Sequence, residues 1–417
     1  MKLQRVFAGI VFMSCVIFLG ISSVSRLKNI PYERDEISWY FHTKFLDEVM
    51  IEKRLFSPLW QGYESYDHPP VSKYIYGTYL YLSNQDYARE RDKLEKKYGR
   101  WNMYYTIKSD QDIANTEFVP ILYELRRINT VFALFILVEI FILSYMLSRS
   151  VWVSLALCAA LSFNSVFMNS AAVITSDNHF LFFSLLAIIC YVRSLTSKQW
   201  WLIGAAVATS LAVGSKLIGL FVFLAVVVNE IAGLAYQSAS VKKTLTRMAL
   251  YSFLSFAGWI VINQALYTSP FFNTWRYFAF RNFQSANIAY FVPEAALGSS
   301  GERARAVVCT LVIRSCTPHT ADASFSSSNV LNVLLLLLGI AYSWRAVQKK
   351  RRAIIFLILL GYCIVAGYLV FLSNYGQRYF VLLQVILFVI EMLAVQWFAQ
   401  RALQKIKPLT RLMSGLY

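Results

Sequence analysis

The chain has 417 residues, of which 57% are hydrophobic and only 15% charged, and its mean hydropathy is positive. A soluble domain keeps roughly a quarter of its residues charged, so the composition excludes an ordinary soluble enzyme and marks an all-α integral membrane protein. The net charge of +17 does not argue for nucleic acid, because the cations cluster at the ends of apolar runs, where they set topology and meet anionic lipid.

The chain opens with Met1-Lys2-Leu3-Gln4-Arg5 and an apolar run to about residue 20, in the manner of a signal peptide. No small-x-small cleavage site follows and further spans do, so the segment reads as an uncleaved first helix. A bilayer core needs about 20 apolar residues per helix. Ten stretches qualify or nearly do: 6–24, 128–147, 151–168, 179–194, 200–213, 216–236, 247–268, 329–345, 353–373 and 378–399, the run at 200–213 being the shortest. Together they make one transmembrane domain over residues 1–417.

Charge placement orients it. With the N-terminus inside, the alternate short segments carry Lys2 and Arg5, Arg149, Arg193 and Lys198, Lys242 to Arg247, Lys349 to Arg352, and Arg401 onward. The short turns of the other side, 169–178, 214–216 and 374–378, carry only Lys216 and Arg378. That is the positive-inside pattern. It leaves two long extracytoplasmic loops, 25–127 and 269–328.

In the first loop, Ile37, Phe41, Phe45 and Val49 recur at helical spacing, with Lys44, Asp47, Glu48 and Glu52 opposite. The spacing predicts a helix over 35–53 lying in the membrane interface. Tyr74, Tyr76, Tyr79 and Tyr81 read as a headgroup-zone aromatic stretch, and 86–97 as a solvated helix. Of six cysteines, Cys15, Cys158, Cys190 and Cys363 sit inside apolar runs as small core residues. For Cys309 and Cys316, in the second loop, spacing leaves a disulfide and two free thiols equally open.

Four features on the extracytoplasmic face carry chemistry. Asp35-Glu36 follows Pro31 at a helix start, where free backbone N–H groups and the positive dipole end favour carboxylates. Such a carboxylate can take a proton from a hydroxyl or hold a divalent cation; a plain charged helix start is the alternative. Asp67-His68-Pro69-Pro70-Val71-Ser72-Lys73 is a rigid extended corner from which Lys73 projects. Asp177-Asn178-His179 stands at the mouth of the fourth span, on the same face as Asp35 and Glu36. Among the cations at outer helix ends, Arg126, Arg127, Lys216 and Arg378, the last two run against the topological bias. Phosphate binding and snorkelling to headgroups are both open to them.

In this order the features resemble the GT-C polyprenyl-phosphate-sugar-dependent glycosyltransferases, and most closely the protein O-mannosyltransferase family, with the aminoarabinose transferases as relatives. That family has an Asp-Glu pair in its first outer loop, matched by Asp35-Glu36. Its His-Pro-Pro-Leu-Gly-Lys motif is matched by His68-Pro69-Pro70-Val71-Ser72-Lys73, with Val and Ser where the family has Leu and Gly. Its arginine at the start of the second span is matched by Arg127. The resemblance covers roughly 30–220, and more loosely Arg378-Tyr379. The chain lacks the soluble outer domain of the eukaryotic mannosyltransferases.

The resemblance implies a GT-C bundle of about ten spans with interfacial helices in the first outer loop. It implies a donor of polyprenyl phosphate carrying a mannose-like hexose, a protein, lipid or glycan hydroxyl as acceptor, and inversion at the anomeric carbon. Asp35 would be the base with Glu36 supporting it. His68, Lys73, Arg127, Asp177, Lys216, Arg378 and Tyr379 would bind donor and phosphate, and Asp35 with Asp177 would hold a divalent metal if one is used. The expected location is a prokaryotic plasma membrane with the site facing outward, an endoplasmic reticulum membrane being the alternative. A secondary transporter is the rival from another class. Its mid-span polar candidates are Glu139, Asn263 and Glu391, and no inverted repeat supports it.

Overall fold

The computed structural model describes residues 2–27, 29–84, 86–98, 113, 116–235, 240–291, 297, 299–308, 334–335, 337–341, 348–371 and 380–414. Helices account for its regular structure, with no strand among the described residues. In chain order they are α1 (Lys2–Leu27), α2 (Arg34–His42), α3 (Lys44–Met50), α4 (Tyr63–Asp67), α5 (Pro70–Ser83) and α6 (Tyr87–Tyr98). After these come α7 (Val119–Ser148), α8 (Val151–Ser162), α9 (Ser165–Ala172), α10 (Asp177–Thr196), α11 (Trp200–Ser215) and α12 (Leu220–Ala235). The rest are α13 (Val241–Ile262), α14 (Pro270–Phe291), α15 (Ser300–Val308), α16 (Gln348–Phe371) and α17 (Val381–Ser414).

Among the described residues seven helices are long and apolar enough to cross a bilayer, eight if the bent pair α8–α9 counts as one span. The expected span at 151–168 is that pair. It breaks by 67° at Asn164, whose side chain caps the next helix by accepting from the Phe167 N–H at 2.9 Å. The expected span at 200–213 is α11, whose 16 residues rise about 24 Å, short of a bilayer core of about 30 Å. Most of the expected span 329–345 lies outside the described residues, as do Cys309, Cys316, Arg378 and Tyr379.

The bundle core is built where α10 packs on α7 and α11, α11 on α13, and α12 on α16. Leu137, Ile140, Leu185, Ile188, Ala205, Ala212, Phe356 and Leu360 are buried there. The start of α7, the start of α10 and the end of α11 come to one end of the bundle, and the first-loop helices α2 to α6 pack across it.

Those loop helices differ from the interfacial helix expected over 35–53. The helix breaks at Thr43, whose hydroxyl donates to the Tyr40 carbonyl at 2.6 Å. Ile37, Phe41 and Phe45 are buried as the spacing required, yet Lys44, Asp47 and Glu48 are buried as well. Each has found a counter-charge from another part of the loop. Lys44 pairs with Glu64 at 2.6 Å, Asp47 with Arg91 of α6 at 2.6 Å, and Glu48 with Arg54 at 2.7 Å. Burial of charge is tolerable only with such pairing. Tyr76, expected in the headgroup zone, is fully buried.

Candidate active site

Glu36 organises this end of the molecule. Its carboxylate and the Arg126 guanidinium are both fully buried. Arg126 donates from Nε to Glu36 Oε1 at 2.8 Å and from Nη2 to Oε2 at 2.5 Å. Oε1 also accepts from the Ile174 N–H at 2.9 Å, and Oε2 from the Glu33 N–H at 2.9 Å, closing a capping box at the start of α2. The other Arg126 donors reach the carbonyls of Leu27, Ile30 and Pro31 at 2.8, 2.9 and 2.9 Å. All five N–H groups of the guanidinium are thereby used. Asp35, next to this lock, is exposed, on a helix start that is tied both to α7 and to the 173–176 segment.

Asp177 follows that segment as the first residue of α10, and its carboxylate forms an ion pair with Lys216, the residue that ends α11. Asp177 is buried, while Lys216 keeps about a quarter of its side chain exposed. Gly214 permits the close approach behind Lys216. A Cβ there would come within 2.6 Å of Val71 Cγ2 and of Ile262 Cδ1.

Aromatic packing joins the two acids' elements. His68 stacks on Trp39 with ring centroids 4.4 Å apart, Trp39 meets Tyr76 edge-on at 5.8 Å, and Tyr76 meets His179 at 4.9 Å. The Tyr76 hydroxyl donates to the Thr175 carbonyl at 2.8 Å and meets the Asn129 side-chain oxygen at 2.9 Å. Burial pushes that hydroxyl well above the ordinary phenol range, so it serves as a neutral donor. His179 Nδ1 lies 3.0 Å from Ser72 Oγ, so the serine of the His-Pro-Pro corner contacts α10 directly.

The other expected site residues fall as follows. Lys73 is fully buried, with Nζ donating to the Glu64 carbonyl at 2.5 Å and lying 4.1 Å from the centre of the Phe45 ring. It holds α4 against α5 and thereby the approach to His68. Arg127 is exposed and pairs with Glu124 at 3.0 Å on its own helix. The buried arginine is thus Arg126, whereas the resemblance matches the family's arginine to Arg127. The signal for it was present: Leu122, Leu125, Arg126, Asn129, Thr130 and Ala133 recur at the spacing of one buried stripe, and Arg127 lies off it. Asp35, Glu36, His68 and Asp177 sit on elements that touch one another, and Lys216 touches Asp177.

Asp35 and Asp177 are the pair that the resemblance offers for a divalent metal. Asp177 already holds an ammonium, and no group of three His, Cys, Asp or Glu side chains gathers among the described residues. The donors do not fit a resident divalent ion, and no step below passes through one.

Residues 39–278 match the family described as dolichyl-phosphate-mannose-protein mannosyltransferase. The chain belongs to that family. The match begins three residues after Glu36 and runs through α7, α10 and α11 to the start of α14, so it encloses the aromatic chain, Arg126, Asp177 and Lys216. Among solved structures the chain is similar to the archaeal oligosaccharyltransferase AglB from Archaeoglobus fulgidus, in complex with an inhibitory peptide and a dolichol-phosphate. That likeness has 13% identity and a TM-score of 0.50, and covers 97% of this chain but 52% of the other. This family member therefore spans about half the length of AglB and shares the GT-C fold with it. No curated protein sequence matches the chain significantly.

Proposed function

We propose that this mannosyltransferase-family chain is a membrane glycosyltransferase that moves a sugar, a mannose-like hexose, from a polyprenyl-phosphate donor to a hydroxyl acceptor. The site faces the extracytoplasmic side of a prokaryotic plasma membrane. A protein acceptor follows the family, and a lipid or glycan hydroxyl would use the same residues. In the transfer, the acceptor oxygen attacks the anomeric carbon from the face opposite the carrier phosphate. The bond from that carbon to the phosphate oxygen breaks, the hydroxyl proton goes to Asp35, and the polyprenyl phosphate leaves with inversion. A phosphate leaves without needing an acid, so the demands are a base on the acceptor and a cation at the departing phosphate. Asp35 meets the first demand and Lys216 the second, with Asp177 orienting Lys216 and Glu36 positioning Asp35 through Arg126. His68 and Lys73 shape the floor beneath them, and Arg127, Arg378 and Tyr379 are further donor contacts under this proposal.

One relationship carries it: Glu36, adjacent to Asp35, accepts from the Ile174 N–H at 2.9 Å, three residues before the Asp177 that pairs with Lys216. That contact supports a reading in which Asp35 and Lys216 work at one end of the bundle. The test is purified enzyme with a panel of polyprenyl-phosphate sugars, following release of the lipid phosphate. Asp35→Asn is expected to lower transfer by about 10²- to 10⁴-fold with expression unchanged; a variant at wild-type rate removes Asp35 from the mechanism.

A further inference from the structure

At the end of the bundle away from Asp177, α10, α12, α13 and α16 meet around a single carboxylate. Glu230 of α12 is buried and accepts from the Arg247 guanidinium of α13, from Nη2 at 2.9 Å and from Nε at 3.2 Å. It also accepts from the Tyr191 hydroxyl of α10 at 3.0 Å. Asn229 Nδ2 donates to that hydroxyl at 2.7 Å, and Arg247 Nη2 donates to Ser194 Oγ at 3.0 Å. Tyr191 stands a helical rise of about 21 Å along α10 from Asp177, so the junction is separate from the residues assigned to transfer.

A second guanidinium enters from α16. Phe356 meets Tyr191 edge-on with ring centroids 4.6 Å apart, and Arg352 comes one turn earlier on the same face. Gly233 admits it, since a Cβ there would stand 2.7 Å from Arg352 Nη2. That nitrogen approaches Glu230 Oε2 only to 3.6 Å, beyond hydrogen-bond reach. Nε and Nη2, the two donors of one edge of the fork, are buried without an acceptor. Thr244, one turn before Arg247, is fully buried with its hydroxyl likewise unpartnered. Among the described residues Glu230 is the one carboxylate within 4.0 Å of Arg352, and Arg247 already holds it. The sequence offers few others: between Asp177 and Glu294 the one acid is Glu230, and beyond Asp322 there is only Glu391. Cations accumulate instead, with Lys242 and Lys243 at the start of α13 and Lys349 to Arg352 at the start of α16.

Two guanidinium charges thus share one carboxylate in a setting of low dielectric, and the surplus cation calls for an anion from outside the chain. Arg352 keeps about a fifth of its side chain exposed, so the anion has a way in. Lys243, exposed, stands one turn above Arg247 on the same face of α13. We propose that this junction binds an anionic phospholipid of the leaflet opposite the transfer site, its phosphodiester oxygens taken by Arg352 and Lys243. A lipid fits better than a free anion because Ile231, Val241 and Leu245, at the same level of α12 and α13, are exposed and suit acyl chains. The bound headgroup ties the starts of α13 and α16 to α12, so the anionic content of the membrane sets the stability of the bundle.

The experiment adds phosphatidylglycerol, phosphatidylcholine or inorganic phosphate to the protein in a neutral detergent, and reads the thermal midpoint and the lipid retained in native mass spectra. Phosphatidylglycerol is expected to be retained by the wild type and to raise its midpoint, and the other two are not. Arg352→Ala is expected to weaken phosphatidylglycerol at least about tenfold and to abolish the midpoint shift, Lys243→Ala to weaken it less. Glu230→Gln removes the internal counter-charge, so its midpoint is expected to be low with phosphatidylcholine and to recover with phosphatidylglycerol. A self-contained ion pair does not give that rescue, and the variant keeps the test open should Arg352→Ala fail to fold. Retention of phosphatidylglycerol that is indifferent to Arg352, or a Glu230→Gln midpoint that it leaves unmoved, overturns the proposal. Inorganic phosphate that matches phosphatidylglycerol also overturns it, since the junction then binds free anions rather than lipid.

Discussion

Glu36 and Arg126 form a pair in which neither partner has any solvent-exposed surface, with Nη2 to Oε2 at 2.5 Å and Nε to Oε1 at 2.8 Å. A pair of this kind contributes position more than net stability, but losing one partner strands a buried charge at a cost of about 3–5 kcal/mol. Glu36→Gln is therefore expected to lower the thermal unfolding midpoint of the detergent-solubilised protein sharply, whereas Asp35→Asn, at an exposed position, leaves it unchanged and removes transfer. Equal midpoints for the two variants would contradict the division between a positioning acid and a catalytic one.

Arg127 offers the matching control. It is more than half exposed and its partner Glu124 is on the same helix, an arrangement worth about 0–1 kcal/mol. Arg127→Ala is expected to shift the midpoint little, while Arg126→Ala shifts it as far as Glu36→Gln does. A large shift for Arg127 would mean that α7 is rotated from the phase described.

Lys216 is the cation that Asp177 presents at the end of α11. Removing one group that meets developing charge costs about 10²–10³-fold in kcat. Lys216→Ala should fall in that range. Asp177→Asn should lose less, and the double variant should be no worse than Lys216→Ala alone. Additive losses would show that the two residues act separately.

Tyr76 donates to Thr175 and meets Asn129 from a fully buried position. Tyr76→Phe leaves buried acceptors without their donor, at about 1–3 kcal/mol. The loss should appear in the unfolding midpoint and, because Thr175 lies two residues before Asp177, also in the transfer rate. A rate unchanged despite a lower midpoint would uncouple the 173–176 segment from the site.

Gly214 has no room for a larger residue, with Val71 and Ile262 both 2.6 Å from where a Cβ would stand. Overpacking of this sort costs about 1–3 kcal/mol. Gly214→Val is expected to push α5 off α11 and to reduce transfer more than Gly204→Val, where the nearest neighbour, the Cys190 sulfur, is 3.3 Å away.

The amino-acid sequence alone determined the class of molecule and most of its spans, because apolar length and the alternation of cations depend only on neighbours along the chain. It also placed Asp35, His68 and Asp177 at the same end, since even numbers of crossings return the chain to one side. Sequence reasoning could not rank Arg126 above Arg127, nor read Glu36, Lys44, Asp47 and Lys73 as buried. Burial of a charge is decided by a partner tens of residues away: Glu36 by Arg126, Lys44 by Glu64, Asp47 by Arg91. The ion pair of Asp177 with Lys216 likewise needed tertiary structure, because it arises where separate segments meet. Local periodicity says which face of a helix is apolar; only packing says which charges that face is able to hide.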